Sequence, residues 1–66
     1  YNHIVERKTA EDIISFWYFK RNDLLAVDAI NAPRDYMIGK RLIESGISPD
    51  KKILSDPKNN LKTLLL

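Results

Sequence analysis

The sequence predicts an α+β domain: a small antiparallel sheet, built from a hairpin plus one N-terminal strand, with one main helix packed on it and a short helical C-terminal tail. Three observations carry that expectation. Ile13-Ile14-Ser15-Phe16-Trp17-Tyr18-Phe19 is a β-branched and aromatic run of the kind that suits a pleated, buried surface. A second apolar run, Leu24-Leu25-Ala26-Val27-Asp28-Ala29-Ile30, follows it across a polar break. From Pro33 onward the apolar residues change from strand spacing to helical spacing.

The N-terminal strand is expected at His3-Ile4-Val5-Glu6, with the polar segment Arg7 to Asp12 as an exposed connection. In the following run Ile14, Phe16 and Tyr18 fall on one face and Ile13, Trp17 and Phe19 on the other. A strand apolar on both faces wants cover on both sides. Lys20-Arg21-Asn22-Asp23 is a turn signal, and it predicts a hairpin loop of about four residues. Asn31-Ala32-Pro33 is a helix start, because an Asn side chain can accept from a free N–H and proline in the first turn gives up only a donor without a partner.

The helix should run to about Ser45 and stop at Gly46. At 100° per residue, Tyr36, Ile38, Leu42 and Ile43 lie within an arc of roughly 160°, while Arg34, Lys40, Arg41 and Glu44 face away. Met37 is left over on the polar side. Gly39 lies near the middle of the apolar arc, where it costs about 1 kcal/mol of helix propensity relative to alanine; close approach of the helix to the sheet would account for it. Beyond Gly46, Ser48-Pro49-Asp50 reads as a cap, followed by one helical turn through Leu54, with Ser55-Asp56-Pro57 as the stop. Leu61, Leu64, Leu65 and Leu66 form a final apolar turn after Asn60.

A chain of 66 residues makes one domain, spanning 1–66, and buries only about 60% of the surface that its unfolded form exposes. No cysteine is present to staple it. The first residue is Tyr1 rather than a methionine, and with the marginal core this suggests a piece of a larger polypeptide. Eleven Lys and Arg against nine Asp and Glu give a formal charge of +2, spread along the sequence as a solvated surface and not as a phosphate-binding stripe. The cysteine count fits a reducing, cytoplasmic setting. The apolar stretch Ile13 to Phe19 is far short of the roughly 20 residues that a membrane span needs.

Little in the chain can do chemistry. The two glycines, Gly39 and Gly46, are placed by the helix, so no glycine-rich phosphate loop exists. The single histidine, His3, reads as a strand-end residue, and no thiol or metal-ligand set accompanies it. Ser15 and Ser48 have no base nearby in sequence and read as a strand residue and a cap. Asp28 is an acid inside an apolar strand, depleted there and in need of a partner when buried. It is either a charge beside a site or, the expected role, a hydrogen-bonded carboxylate holding the corner at Asn31. Phe16, Trp17 and Tyr18 beside Lys20 and Arg21 could stack nucleic-acid bases, but core aromatics on a central strand explain them better. Catalytic, cofactor-binding and metal site residues are therefore each expected to be none.

The strings Phe16-Trp17-Tyr18-Phe19, Leu25-Ala26-Val27-Asp28-Ala29-Ile30-Asn31-Ala32-Pro33, Met37 with Lys40 to Ile43, Ser48-Pro49-Asp50, Asp56-Pro57 and Leu61-Lys62 together resemble the C-terminal domain of the putidaredoxin reductase and ferredoxin reductase family. Tyr1 to Val5 is similar to the strand that precedes the hairpin in that family. The Ala-Val-Asp-x-x-Asn-x-Pro string from Ala26 to Pro33 is the most specific part, since it spans a strand, a corner and a helix start. Two departures stand out. The family's hairpin turn carries an acidic residue followed by glycine where this chain has Arg21-Asn22-Asp23, and the family's earlier tryptophan-bearing segment near the flavin has no match here.

The resemblance implies a parent flavoprotein with separate FAD and NAD(P)H domains, in which this domain caps the flavin domain and helps to form the side facing a ferredoxin-type iron–sulfur acceptor. By itself the chain would then be inactive, bind neither FAD nor NAD(P)H, and self-associate through a bare strand face and the Leu64-Leu65-Leu66 tail. The alternatives are an independent protein-interaction module and a nucleic-acid-binding module; neither accounts for Ala26 to Pro33.

Overall fold

The computed structural model describes residues 1–65; the side chain of Leu65 and all of Leu66, both part of the expected apolar tail, lie outside the described residues. The chain runs β1 (His3–Ala10), β2 (Ile13–Lys20), β3 (Asp23–Ile30), α1 (Pro33–Glu44), α2 (Lys51–Ser55) and a 3-10 turn (Leu61–Leu65). The strands form one antiparallel sheet in the order β1-β2-β3. Helix α1 lies across β3 and β2, α2 packs beside β1, and the 3-10 turn packs on α1. The expected α+β architecture is thus the observed one.

The doubly apolar run sits on the central strand, where its inward residues are most fully covered. Trp17 and Phe19 are completely buried, and Leu24, Val27, Leu42, Leu54 and Leu61 complete the core around them. Pairing puts Trp17 opposite Val27 and Phe19 opposite Leu24. Leu24 and Val27 are three apart yet both point inward, because a bulge inserts Leu25 between the pairs Phe19↔Leu24 and Tyr18↔Ala26. An extra residue on one strand shifts the alternation of side chains by one.

Gly39 is buried at the contact between α1 and the sheet. A Cβ built on it would stand 2.6 Å from Val27 Cγ1 and 3.1 Å from Trp17 Cζ3, so the missing side chain is what lets the helix approach. At its C-terminus α1 closes as expected. Gly46 has φ +70°, its N–H donates to the Ile43 carbonyl at 3.1 Å, and the Ile47 N–H donates to the Leu42 carbonyl at 2.9 Å. These bonds satisfy two of the carbonyls that a helix end leaves over.

Several expectations are corrected. β1 does not end at Glu6 but continues to Ala10, and Arg7, assigned to an exposed connection, is 4% exposed; its charge is tolerated inside because carbonyl groups surround it, as described below. The hairpin loop is two residues long, Arg21 and Asn22, closed by the pair Lys20↔Asp23, with Arg21 at φ 56°. Asn2 accepts from the Arg21 N–H at 3.0 Å and Lys51 Nζ donates to the Arg21 carbonyl, contacts that sequence reading cannot see. The cap of α1 is Ala32, without a side-chain hydrogen bond; Asn31 adopts φ 54° and donates instead to the Asp12 carbonyl at 3.0 Å, tying the helix entry to the β1–β2 turn.

The buried stripe of α1 is rotated from the expected arc. Tyr36 is 43% exposed, and Asp35 is drawn partly inside beside Ile38, Gly39, Leu42 and Ile43, because its carboxylate has polar partners within the core. Finally, α2 is capped by Asp50, which accepts from the Lys52 N–H at 2.8 Å, while Ser48 accepts from the Leu24 N–H at 2.9 Å. In the tail, Leu61 is buried and Leu64 packs against the core, so Leu64 is not the free surface expected of the Leu64-Leu65-Leu66 segment.

Candidate functional site

The sheet has two unlike faces. The face toward α1 carries Val5 and Arg7 from β1, Ser15, Trp17 and Phe19 from β2, and Leu24 and Val27 from β3. No element covers the other face among the described residues. Its central row is Ile14, Phe16 and Tyr18, half-buried only by their neighbours. Register places Ile4 and Ala26 beside Tyr18, Glu6 and Asp28 beside Phe16, and Lys8 and Ile30 beside Ile14. Ile4 and Ile30 are 51% and 53% exposed, and the bulge turns Leu25 outward at 47%. An antiparallel sheet with one wet face ordinarily alternates to polar residues there; here only the flanks do, at Glu6, Lys8 and Asp28, while the central row with Ile4 and Ile30 stays apolar, and an exposed apolar surface rimmed by polar residues marks a contact site.

One end of the face is organised by aromatics. Tyr1 meets Tyr18 edge-on with ring centroids 5.0 Å apart. The Tyr18 hydroxyl donates to Asp28 Oδ2 at 3.1 Å; this hydrogen bond first, then desolvation and the negative charges of Asp28 and Tyr1, raise the phenol above its ordinary value of 10.0. Asp28 is exposed and its partner is Tyr18, so the expectation that it braces the Asn31 corner is corrected. Asp28 reaches Tyr18 diagonally across the pair Phe16↔Asp28, a contact fixed by register and invisible in linear order.

Beneath the opposite face runs a buried polar network that sequence reading missed. The Trp17 indole N–H donates to Ser15 Oγ at 2.9 Å, and the Ser15 hydroxyl donates to Asp35 Oδ2 at 2.7 Å. Asp35 Oδ2 lies 3.8 Å from Arg7 Nε. Arg7 Nη1 donates to the carbonyls of Leu54 at 3.1 Å and Asp56 at 2.8 Å, and Nη2 donates to those of Pro57, at 3.5 Å, and Asn59. The guanidinium thereby ties β1 to the C-terminal end of α2 and the stretch after it, where carbonyls lack partners within a helix or sheet. Ser15 is a buried acceptor and donor in this network, not a nucleophile with a base.

The remaining candidates fall apart in space. His3 is exposed at the start of β1, and no group of three or more His, Cys, Asp or Glu suited to a metal occurs among the described residues. Trp17 is completely buried, so it cannot stack on a nucleic-acid base. Gly39 lies in mid-helix against Val27, and Gly46 closes a helix C-terminus. Neither stands at a strand-to-helix turn, where backbone N–H groups would cradle a pyrophosphate. No helix among the described residues is long and apolar enough to cross a membrane.

The fold and its faces define a class: a small α+β domain with one sheet face packed on its own helix and the other, apolar along its centre, bare among the described residues. A family model described as "Reductase C-terminal" matches residues 1–65. The chain belongs to that family, the C-terminal domain of ferredoxin and putidaredoxin-type reductases, and so to an oxidoreductase family.

Proposed function

We propose that the chain is the C-terminal domain of an FAD-dependent NAD(P)H:ferredoxin reductase, a cytoplasmic enzyme whose other domains hold both cofactors. In this reading the domain caps the flavin domain and helps to form the side that meets a ferredoxin-type iron–sulfur acceptor. The observation that carries it is the bare face of Ile4, Ile14, Phe16, Tyr18 and Ile30. A domain that leaves two aromatic rings and three isoleucines on an uncovered surface gains stability when a partner buries them, at roughly 25 cal/mol per Å² of apolar area. Family membership supports a reductase as the owner of that partner surface.

The chain's part is structural. It contributes shape and apolar contact. The test is Ile4→Asp combined with Ile30→Asp, both at exposed positions, so the domain itself should fold. In the full-length reductase the pair should lower the thermal midpoint and depress NAD(P)H-dependent reduction of the iron–sulfur acceptor. An unchanged midpoint and unchanged turnover would refute the assignment of this face to a domain contact.

A further inference from the structure

A pocket of about 420 Å³ opens between the outer flank of α1 and the 3-10 turn. Charges that are scattered in sequence meet around it. Arg34 and Arg41 stand seven residues apart on α1, on one side of the helix and about 10 Å apart along its axis. Lys62 faces them from the 3-10 turn, and Arg7 lies beneath. Among the described residues neither Arg34, Arg41 nor Lys62 has a carboxylate within 4.0 Å; the two ion pairs found are Arg7–Asp35 and Lys8–Glu11. Arg7 is 4% exposed and its Nε has no hydrogen-bond partner. Four cations share the pocket with one carboxylate, Asp35, which is already paired with Arg7; like charges left in excess cost free energy, and an anion seated among them would relieve that cost.

The walls say which anion. Met37, Ile38 and Leu61 line the pocket with the cations, so an occupant must offer apolar surface as well as charge. Asp35 also lines it and would repel a doubly charged phosphate more strongly than a singly charged carboxylate. A carboxylate also matches the planar guanidinium fork with two parallel hydrogen bonds. The geometry points to a binding site for a small amphipathic carboxylate, its head held by Arg34, Arg41 and Lys62 and its apolar body laid on Met37, Ile38 and Leu61. This site is independent of the bare sheet face and of the reductase assignment, since it lies at the seam between α1 and the 3-10 turn, on the side of the sheet opposite the bare face.

The experiment is a titration of the isotope-labelled chain followed by two-dimensional NMR, with hexanoate, hexanol and inorganic phosphate as probes. Hexanoate should cause saturable shifts at the amides of Arg34 to Arg41 and Asn60 to Lys62, with hexanol and phosphate each binding about tenfold more weakly or worse. Arg34→Gln with Arg41→Gln, both exposed and outside the core, should weaken hexanoate about tenfold while leaving the remaining spectrum dispersed. Lys62→Gln should weaken it too, which guards against an effect of helix charge alone. Equal affinity for hexanoate and hexanol would reduce the site to an apolar groove, and phosphate binding as tight as hexanoate would reduce it to a bare charge patch; either overturns the proposal. So does the absence of saturable shifts at about 10 mM hexanoate.

Discussion

Gly39→Ala sets two effects of opposite sign against each other, and the structure decides between them. Alanine in mid-helix is favoured over glycine by about 1 kcal/mol. Yet the new methyl would stand 2.6 Å from Val27 Cγ1, 3.0 Å from Val27 Cβ and 3.1 Å from Trp17 Cζ3, where carbon atoms at rest sit near 3.5–4.0 Å. Val27 and Trp17 are 7% and 0% exposed, so neither can swing aside into solvent. Overpacking of this kind costs about 1–3 kcal/mol, and the balance is a loss of up to about 2 kcal/mol, a drop of roughly 4–8 °C in thermal midpoint for each kcal/mol. Gly39→Leu should lose more, and Lys40→Ala, on the exposed side, should stay within about 0.5 kcal/mol. Val27→Ala deletes the atom nearest the new methyl, so the same Gly39→Ala change should cost less in that background, a coupling of about 0.5 kcal/mol or more. Thermal denaturation by circular dichroism reads all five variants, the Val27→Ala background included. A midpoint that rises in Gly39→Ala would mean that propensity wins, and that α1 does not touch the sheet at this residue.

Arg7→Met keeps the stem but removes the guanidinium donors from the carbonyls of Leu54, Asp56, Pro57 and Asn59; with charged hydrogen bonds worth about 1.5–3 kcal/mol each, the chain should lose about 3 kcal/mol or more in chemical denaturation. A loss below about 1 kcal/mol would deny the network a structural role. At Gly46 the φ of +70° has open space around the Cβ position, so Gly46→Ala should cost only the left-handed backbone penalty of about 1–2 kcal/mol, and Gly46→Asn less, by the same denaturation. Tyr18 favours its protonated form in the folded chain because it donates to Asp28. Its pKa is raised in the native state, so this contribution is complete below pH 10.0 and is lost as the pH climbs through the higher native value. Asp28→Asn should bring the phenol's ultraviolet titration back toward 10.0; an unmoved midpoint would show that the hydrogen bond is not its cause.

What could be read in the sequence was local. Trp17 on the central strand, Gly39 at the helix contact, Gly46 at the stop and the short α2 all follow from spacing and turn chemistry within a few residues of each position. What could not be read was the set of contacts made across the fold. Arg7 looked solvated because the residues that accept from it, Leu54 to Asn59, lie some fifty positions away. Asp35 belongs to the same case: on a helical wheel it is a first-turn acid that suits a helix N-terminus, and only its place above Ser15 explains why it turns inward. A signal was present in hindsight, since Ser15 interrupts an otherwise apolar inward row, and a buried hydroxyl needs a partner. Arg21 in a left-handed conformation ran against the expectation of a longer loop, since such turns usually take Gly or Asn; the side chains of Asn2 and Lys51 hold it from outside the hairpin.

The outer strands constrain how any partner can meet the bare face. β1 and β3 are both edges of a three-stranded sheet, and open edges invite strand addition unless they are disrupted. Here each outer strand carries a bulge, at Thr9 in β1 and at Leu25 in β3. Charged residues also stand along them, Glu6 and Lys8 on one and Asp28 on the other. Bulges increase local twist and break the run of evenly spaced N–H and C=O groups that a new strand needs. The apolar row of Ile14, Phe16 and Tyr18, by contrast, runs along the central strand, away from both edges. A partner therefore gains most by packing on the face and least by extending the sheet. Under the proposed function, full-length protein should protect side chains such as Tyr18 and Phe16 from solvent labelling, while the outward amides of β1 and β3 continue to exchange. Strong protection of those edge amides with unprotected Tyr18 would reverse the geometry, and with it the claim that the face is what the domain offers.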